Sequence, residues 1–154
     1  MNITQEELAQ INRFARTELT EDEVDRDFER FDTDALTKLG ELFVGKSGIF
    51  DHQWSAQGQT ARIYRTEVIR EPARRTAAQD SYQWLKAWAY LLRTEKNADL
   101  IAEIDGGIKK EVSVGCSMGR SVCSICGADL EDRSRCTHVK GEEYHGQRCW
   151  AELL

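Results

Sequence analysis

The chain has 154 residues, five cysteines, one proline and a formal net charge of -6. This length predicts a single domain that can bury a core without disulfide crosslinks. The acidic balance disfavours a general nucleic-acid binder, which normally carries a basic surface.

The N-terminal stretch MNITQEELAQ is acidic and lacks the apolar segment of a secretory signal. The longest apolar run, Ala87 to Leu92, is far shorter than the ~20 residues that span a bilayer. We therefore expect a protein of the reducing cytosol with no membrane partner. Structural disulfides are rare there, so the five cysteines indicate metal binding or a role as reactive thiols.

Hydrophobic periodicity predicts a mixed α and β chain. Thr4 and Glu7 form a capping-box pattern that predicts a helix over 4–17. Thr33 or Asp34 can cap a second helix, with an apolar stripe of Leu36, Leu39 and Phe43. The remaining patterns predict strands over 49–52, 60–69, 82–92 and 110–118, a turn over 69–80 and a short helix over 97–104.

The predicted fold is an α+β domain. It comprises an antiparallel β-sheet or partly closed barrel, about three helices and a C-terminal zinc knuckle. We expect residues 1–120 to form the α+β core and residues 121–154 to form a Cys/His metal-binding segment, because the latter has few apolar residues of its own.

A Cys-x-x-Cys-Gly motif at Cys123, Cys126 and Gly127 is the strongest chemical signal in the sequence. Such a knuckle places two thiolates on one tight turn, and the glycine permits the positive φ that the turn requires. Cys136 and His138 follow and complete a tetrahedral set. Thiolates and imidazole favour zinc, and four protein ligands predict a closed structural site.

Two further residues are spare ligands in this segment. Cys149 can replace His138, and His145 is a second reserve. The competing interpretations are unrelated buried thiols or a redox Cys-x-x-Cys pair. Redox pairs normally lie at a helix N-terminus after a strand, whereas the flanks here are polar and typical of loops.

His52 and Ser113 form a candidate catalytic pair outside the metal segment. His52 ends a predicted strand, and Ser113 lies on the face of another strand opposite Val112 and Val114. A serine becomes a nucleophile when a base such as histidine accepts its proton within hydrogen-bond reach. The sequence alone leaves a structural role for both side chains open.

The order of several short motifs resembles the prohead maturation proteases of tailed bacteriophages. They are Asp51-His52, Ile104-Asp-Gly-Gly-Ile108 and Glu111-Val-Ser-Val-Gly115. The segment from Glu23 to Phe31 and the Cys-x-x-Cys…Cys-x-His insert are similar to those of one subgroup. The resemblance covers roughly residues 18–150.

This resemblance implies a serine endopeptidase with a herpesvirus-protease-like fold, in which His52 is the general base and Ser113 the nucleophile. It implies a scaffold or capsid precursor as substrate and partner, with processing inside the assembling prohead in the bacterial cytoplasm. It is compatible with a homo-oligomer. It assigns neither a third catalytic residue nor the oxyanion donors.

Two non-enzymatic interpretations remain open. In the first, the chain is a catalytically inactive structural or assembly module of a phage particle, stabilised by zinc. In the second, it is a zinc-knuckle adaptor that binds nucleic acid or protein. Residues 121–154 carry 6 acidic and 4 basic side chains, a net charge of -2. That charge argues against nucleic acid as the adaptor's partner and leaves protein.

Overall fold

A computed structural model describes residues 11–154 of the chain. The strands are β1 (Ile11–Glu21), β2 (Glu29–Phe31), β3 (Ser47–Gly48), β4 (Ala61–Arg75), β5 (Ser81–Leu92), β6 (Ser121–Cys123), β7 (Glu143–Tyr144), β8 (Gln147–Arg148) and β9 (Ala151–Leu153). The helices are α1 (Thr33–Phe43), a short 3-10 turn at Glu95–Asn97 and α2 (Ala98–Asp105).

The predicted α+β class is confirmed, with corrections to its details. Over residues 11–154 the chain has two α-helices rather than about three, and its strands do not close into a barrel. The helix predicted over 4–17 is wrong from residue 11 onwards, where the chain forms β1. Its first residues, 4–10, lie outside the described part of the structure. No described helix is long and apolar enough to cross a membrane.

The largest sheet has the strand order β1-β5-β4-β3. Strand β4 continues to Arg75, so the turn predicted over 69–80 is confined to 76–80. There the Thr76 amide donates to the Asp80 carbonyl at 3.0 Å, and Gln79 adopts a positive φ of 69°. So short a connection makes β4 and β5 an antiparallel hairpin.

Strand β5 turns its odd-numbered residues towards the core. Leu85, Ala87 and Leu91 are buried, as alternation along a strand requires. Of the even-numbered aromatic residues, Tyr82 is buried as well, whereas Trp84, Trp88 and Tyr90 are partly exposed. Basic side chains stack on Trp88. The Arg65 guanidinium carbon, for example, lies 4.3 Å from the centre of the Trp88 ring.

Helix α1 begins where the sequence predicted, but its cap is Asp32 rather than Thr33 or Asp34. The Asp32 carboxylate accepts a hydrogen bond from the Ala35 amide at 2.7 Å, which satisfies one of the free N–H groups of the first turn. Leu36 and Leu39 are buried on the inner face. The helix is followed by Gly45, whose φ of 84° suits glycine.

The described chain divides into two compact units. The first includes residues 11–19, Gly40–Glu67 and Lys86–Gly115, and the second includes Thr20–Leu39, Val68–Leu85 and Cys116–Leu154. In the second unit, β9 pairs in parallel with β2 and antiparallel with β6. The segment that precedes α1 and the cysteine-rich segment are therefore parts of one unit, although they are far apart in sequence.

A buried polar network lies in the second unit. The Asp22 carboxylate accepts hydrogen bonds from the Gln83 backbone amide at 2.8 Å and from its side-chain amide at 3.4 Å. Gln83 Nε2 also donates to Thr33 Oγ1, and Gln83 Oε1 accepts from Arg70 Nε, both at 2.9 Å. Burial raises the pKa of Asp22 because the charged form is poorly solvated, although the hydrogen bonds from Gln83 oppose the rise.

The strand predicted over 110–118 is wrong. Residues 109–118 lie outside helix and strand, and most of them are exposed. The strand predicted over 49–52 is also wrong, because β3 ends at Gly48 and both Asp51 and His52 adopt positive φ values near 50°. Both candidate catalytic side chains therefore belong to irregular segments of the first unit.

Candidate functional site

The Cys123–Cys126 knuckle is a tight turn at the end of β6. The Gly127 amide donates to the Cys123 carbonyl, and the Cys123 amide donates to the Ala128 carbonyl, each at 2.8 Å. Gly127 has a φ of 70°, the positive value that the sequence motif predicted. The turn directs the thiols of Cys123 and Cys126 towards one centre.

Cys136 and His138 approach this centre from a second turn. The Cys136 amide donates to the Asp132 carbonyl at 2.9 Å, and the Asp132 carboxylate accepts from the Ser134 amide and hydroxyl. Cys136 is buried. The His138 ring packs edge-on against Tyr144, with 4.5 Å between the ring centres.

The four predicted ligands lie together. One donor atom from each of Cys123, Cys126, Cys136 and His138 lies within 4.8 Å of all the others. The sulfurs of Cys126 and Cys136 are 3.7 Å apart, and the Cys136 sulfur is 3.9 Å from His138 Nδ1. Around a central ion, Zn–S distances of about 2.3 Å place tetrahedral sulfurs about 3.8 Å apart. The cluster can therefore bind a metal ion.

The two reserve ligands differ in position. The Cys149 thiol is buried, and its sulfur is 3.6 Å from that of Cys123. His145 is exposed in the turn between β7 and β8, with a φ of 54°, and is not a member of the cluster. Cys149 thus lies beside the predicted four-donor cluster, next to Cys123.

Mutual proximity perturbs the thiols. Burial and the neighbouring Cys123 together raise the pKa of Cys149 to about 12. Burial also raises the pKa of Cys136. For Cys123, burial acts in the same direction, but hydrogen bonds from the Cys126 and Ile125 amides outweigh it, so its pKa is lowered. A bound cation would offset the repulsion between additional thiolates.

His52 and Ser113 lie on two neighbouring segments of the first unit. His52 Nδ1 is 3.3 Å from the point that a Cβ on Gly115 would occupy, and Gly115 follows Ser113 by two residues. Lys109 Nζ lies 5.6 Å from the centre of the Phe50 ring. These two contacts bring the segment that contains His52 beside the segment that contains Ser113.

The candidate pair is accessible but not joined. Both His52 and Ser113 are exposed, and no hydrogen bond links them within residues 11–154. Large apolar side chains on the same two segments are also exposed: Phe50, Trp54, Ile108 and Val112. Catalytic hydrogen bonds often form only when substrate is bound.

No protein-family model matches the chain, and neither curated proteins nor solved structures give a significant match. The one donor that the sequence ranked only as a reserve is Cys149. Its signal was weak because twelve residues lie between it and Cys136 in the sequence. The pairing of β9 with β6 brings it back to the knuckle.

Proposed function

We propose that this protein is a serine endopeptidase that processes scaffold and capsid precursors inside a phage prohead. The observation that carries the proposal is the position of His52. Its Nδ1 lies 3.3 Å from where a Cβ on Gly115 would be, and Gly115 belongs to the serine segment, the irregular stretch 109–118 that contains Ser113. The order of the motifs around both residues supports the same assignment. The proposal makes His52 the general base and Ser113 the nucleophile.

In this mechanism, an imidazole nitrogen of His52 accepts the proton of Ser113 Oγ as the oxygen attacks a peptide carbonyl carbon. The resulting imidazolium then protonates the amine that leaves, which gives an acyl-enzyme. Water, deprotonated by the same imidazole, hydrolyses the ester and regenerates Ser113. The exposed apolar side chains Phe50, Trp54, Ile108 and Val112 provide a surface for an extended peptide.

The decisive experiment incubates the full chain with the scaffold and capsid precursors of its own phage. We expect wild type to cleave a precursor and Ser113→Ala to lower the rate by about 10⁶-fold, as removal of a serine nucleophile does. His52→Ala should have a similar effect. Ser117→Ala is the matched control, because Ser117 is an exposed serine of the same segment.

A serine-directed phosphonate gives an independent readout. Mass spectrometry should locate the adduct on Ser113 in wild type and in Ser117→Ala, and labelling should be strongly reduced in His52→Ala. Equal precursor processing by wild type and Ser113→Ala, or adducts spread over several serines, would exclude the catalytic assignment.

We further infer that the metal held by the cysteine cluster is zinc. Soft thiolates with imidazole match zinc, which brings no redox chemistry. Because the protein supplies at least four donors, no position is left for a reactive water, and the ion has a structural role. Metal analysis of protein purified under reducing, chelator-free conditions should find about one zinc per chain.

The second candidate function is that of a catalytically inactive assembly module whose fold is stabilised by zinc. The observation that favours it is the contrast between the two sites: the thiols of the cluster lie at coordination spacing, whereas Ser113 and His52 make no mutual hydrogen bond in the described chain. Zinc binding combined with no phosphonate labelling and no precursor cleavage would favour this candidate.

A further inference from the structure

The cluster of Cys123, Cys126, Cys136 and His138, taken together with the adjacent Cys149, offers one donor more than a tetrahedral ion accepts. Three of its thiols, those of Cys123, Cys136 and Cys149, are almost fully buried, with at most 1 % of their surface exposed. Cys126 and His138 complete the five. Four-coordinate geometry is nearly universal in structural zinc sites, so one donor must stay outside the coordination sphere.

We propose that the metal is bound by four thiolates, Cys123, Cys126, Cys136 and Cys149, and that His138 is a hydrogen-bond donor to the Cys136 sulfur. The inference rests on the proposed zinc site and changes its fourth ligand. It also gives Cys149 a function that the Cys3His set leaves unexplained.

Sulfur spacing is the first argument for this ligand set. The Cys123–Cys149 and Cys126–Cys136 sulfur pairs are separated by 3.6 Å and 3.7 Å. Both values match the edge of about 3.8 Å in a tetrahedral zinc–sulfur site. The two pairs share no atom, as opposite edges of one tetrahedron require. A disulfide would need sulfurs about 2.05 Å apart, so the Cys123–Cys149 pair is not one.

The backbone holds Cys149 against the knuckle. The Ser124 amide donates to the Trp150 carbonyl at 3.0 Å, and the Trp150 amide donates to Ser124 Oγ at 2.9 Å. The Cys149 amide donates to the Glu142 carbonyl at 2.8 Å. These bonds fix the thiol beside Cys123 through residues adjacent to both cysteines.

His138 fits a supporting position better than a ligand position. Its Nδ1 is 3.9 Å from the Cys136 sulfur, longer than the edge of about 3.6 Å expected between a zinc-bound sulfur and a zinc-bound nitrogen. At 3.9 Å the contact suits an N–H···S hydrogen bond. Such a bond lowers the charge on the thiolate and orients it, the usual role of groups around a metal's ligands.

X-ray absorption at the zinc edge of the wild-type, full-length chain tests this directly. We expect four sulfur neighbours at about 2.3 Å and no scattering from an imidazole ring. Three sulfurs and one nitrogen would overturn the four-thiolate set while leaving the zinc proposal intact. Absence of zinc in protein purified under reducing, chelator-free conditions would overturn both.

Variants give a second readout through zinc affinity, measured by competition with a coloured chelator. We expect His138→Ala to keep one zinc and to weaken binding by ~10–100-fold, as loss of a supporting group does. Cys149→Ser should weaken binding more and leave three sulfur neighbours. Cys116→Ser is the control, because this thiol is exposed and outside the cluster. A larger loss for His138→Ala than for Cys149→Ser would contradict the proposal.

Discussion

Arg30 Nε donates to Glu152 Oε2 at 2.8 Å, and the two residues are also backbone partners in the parallel pairing of β2 with β9. The Arg30 side chain is only 10 % exposed, and it also contacts Asp80 at 2.9 Å. One guanidinium thus joins β2, β9 and the β4–β5 turn.

We expect Arg30→Ala to lower the free energy of unfolding by about 2 kcal/mol. The substitution removes charged hydrogen bonds and leaves the half-buried Glu152 carboxylate without its guanidinium partner. Lys110→Ala is the matched control. Its ion pair with Glu111 spans 4.0 Å on the surface and should contribute under about 1 kcal/mol. Urea unfolding measures both variants, and equal small losses would show that the Arg30 pair is not a significant stabilising contact.

Gly141 lies against the Phe28 ring. A Cβ at this position would be 2.8 Å from Phe28 Cε2, and the φ of 84° is itself unfavourable for alanine. Gly146 has a similar φ of 81° but an open surrounding. We expect Gly141→Ala to cost about 1–3 kcal/mol more than Gly146→Ala, because only the former adds a steric clash. Thermal unfolding compares the two, and equal costs would contradict this packing.

Gly115 lies two residues after Ser113 and next to the His52 ring, so a substitution there tests the arrangement of the proposed catalytic residues. Gly115→Ala places a Cβ 3.3 Å from His52 Nδ1 and displaces the imidazole slightly. We expect kcat for precursor cleavage to fall about tenfold with little change in thermal stability, because small displacements of a base slow proton transfer. Gly119→Ala, whose Cβ meets nothing within 4 Å, is the control. Identical cleavage rates for the two variants would show that the position of His52 does not matter for catalysis.

Removal of the metal should affect the two units differently. The Cys123, Ser124 and Ala151 amides donate to backbone carbonyls of the second unit. We expect a zinc chelator to accelerate hydrogen exchange at these amides, because the proposed zinc site would order the cysteine-rich segment. The Gly45 and Ile63 amides, which donate within the first unit, should keep their protection. Uniform acceleration across both units would contradict a local role for the metal.

Sequence patterns predicted some parts of this fold well and others poorly, for physical reasons. Close cysteine spacing fixes the knuckle locally, so Cys123 and Cys126 were predictable. Leu36 and Leu39 likewise marked α1 through local periodicity. The segment at Ile11 has helical spacing but forms a strand beside β5, because pairing between distant strands overrides local preference.

The serine segment and the fifth donor show the limits of such predictions. Val112 and Val114 alternate like a strand, yet among residues 11–154 no strand pairs with them. Cys149 comes near Cys123 through the pairing of β9 with β6, in which Cys123 faces Ala151. Neither outcome is encoded by spacing within a short window, since both depend on which distant strand is available as a partner.

The parallel pairing of β2 with β9 has a consequence for biosynthesis. Residues 29–31 leave the ribosome early, but their partners at 151–153 are made more than a hundred residues later. The second unit therefore cannot complete its three-stranded sheet while the intervening chain is being translated, whereas local structure such as α1 can form as it emerges. Closure of this sheet is thus a late event that follows synthesis of β9.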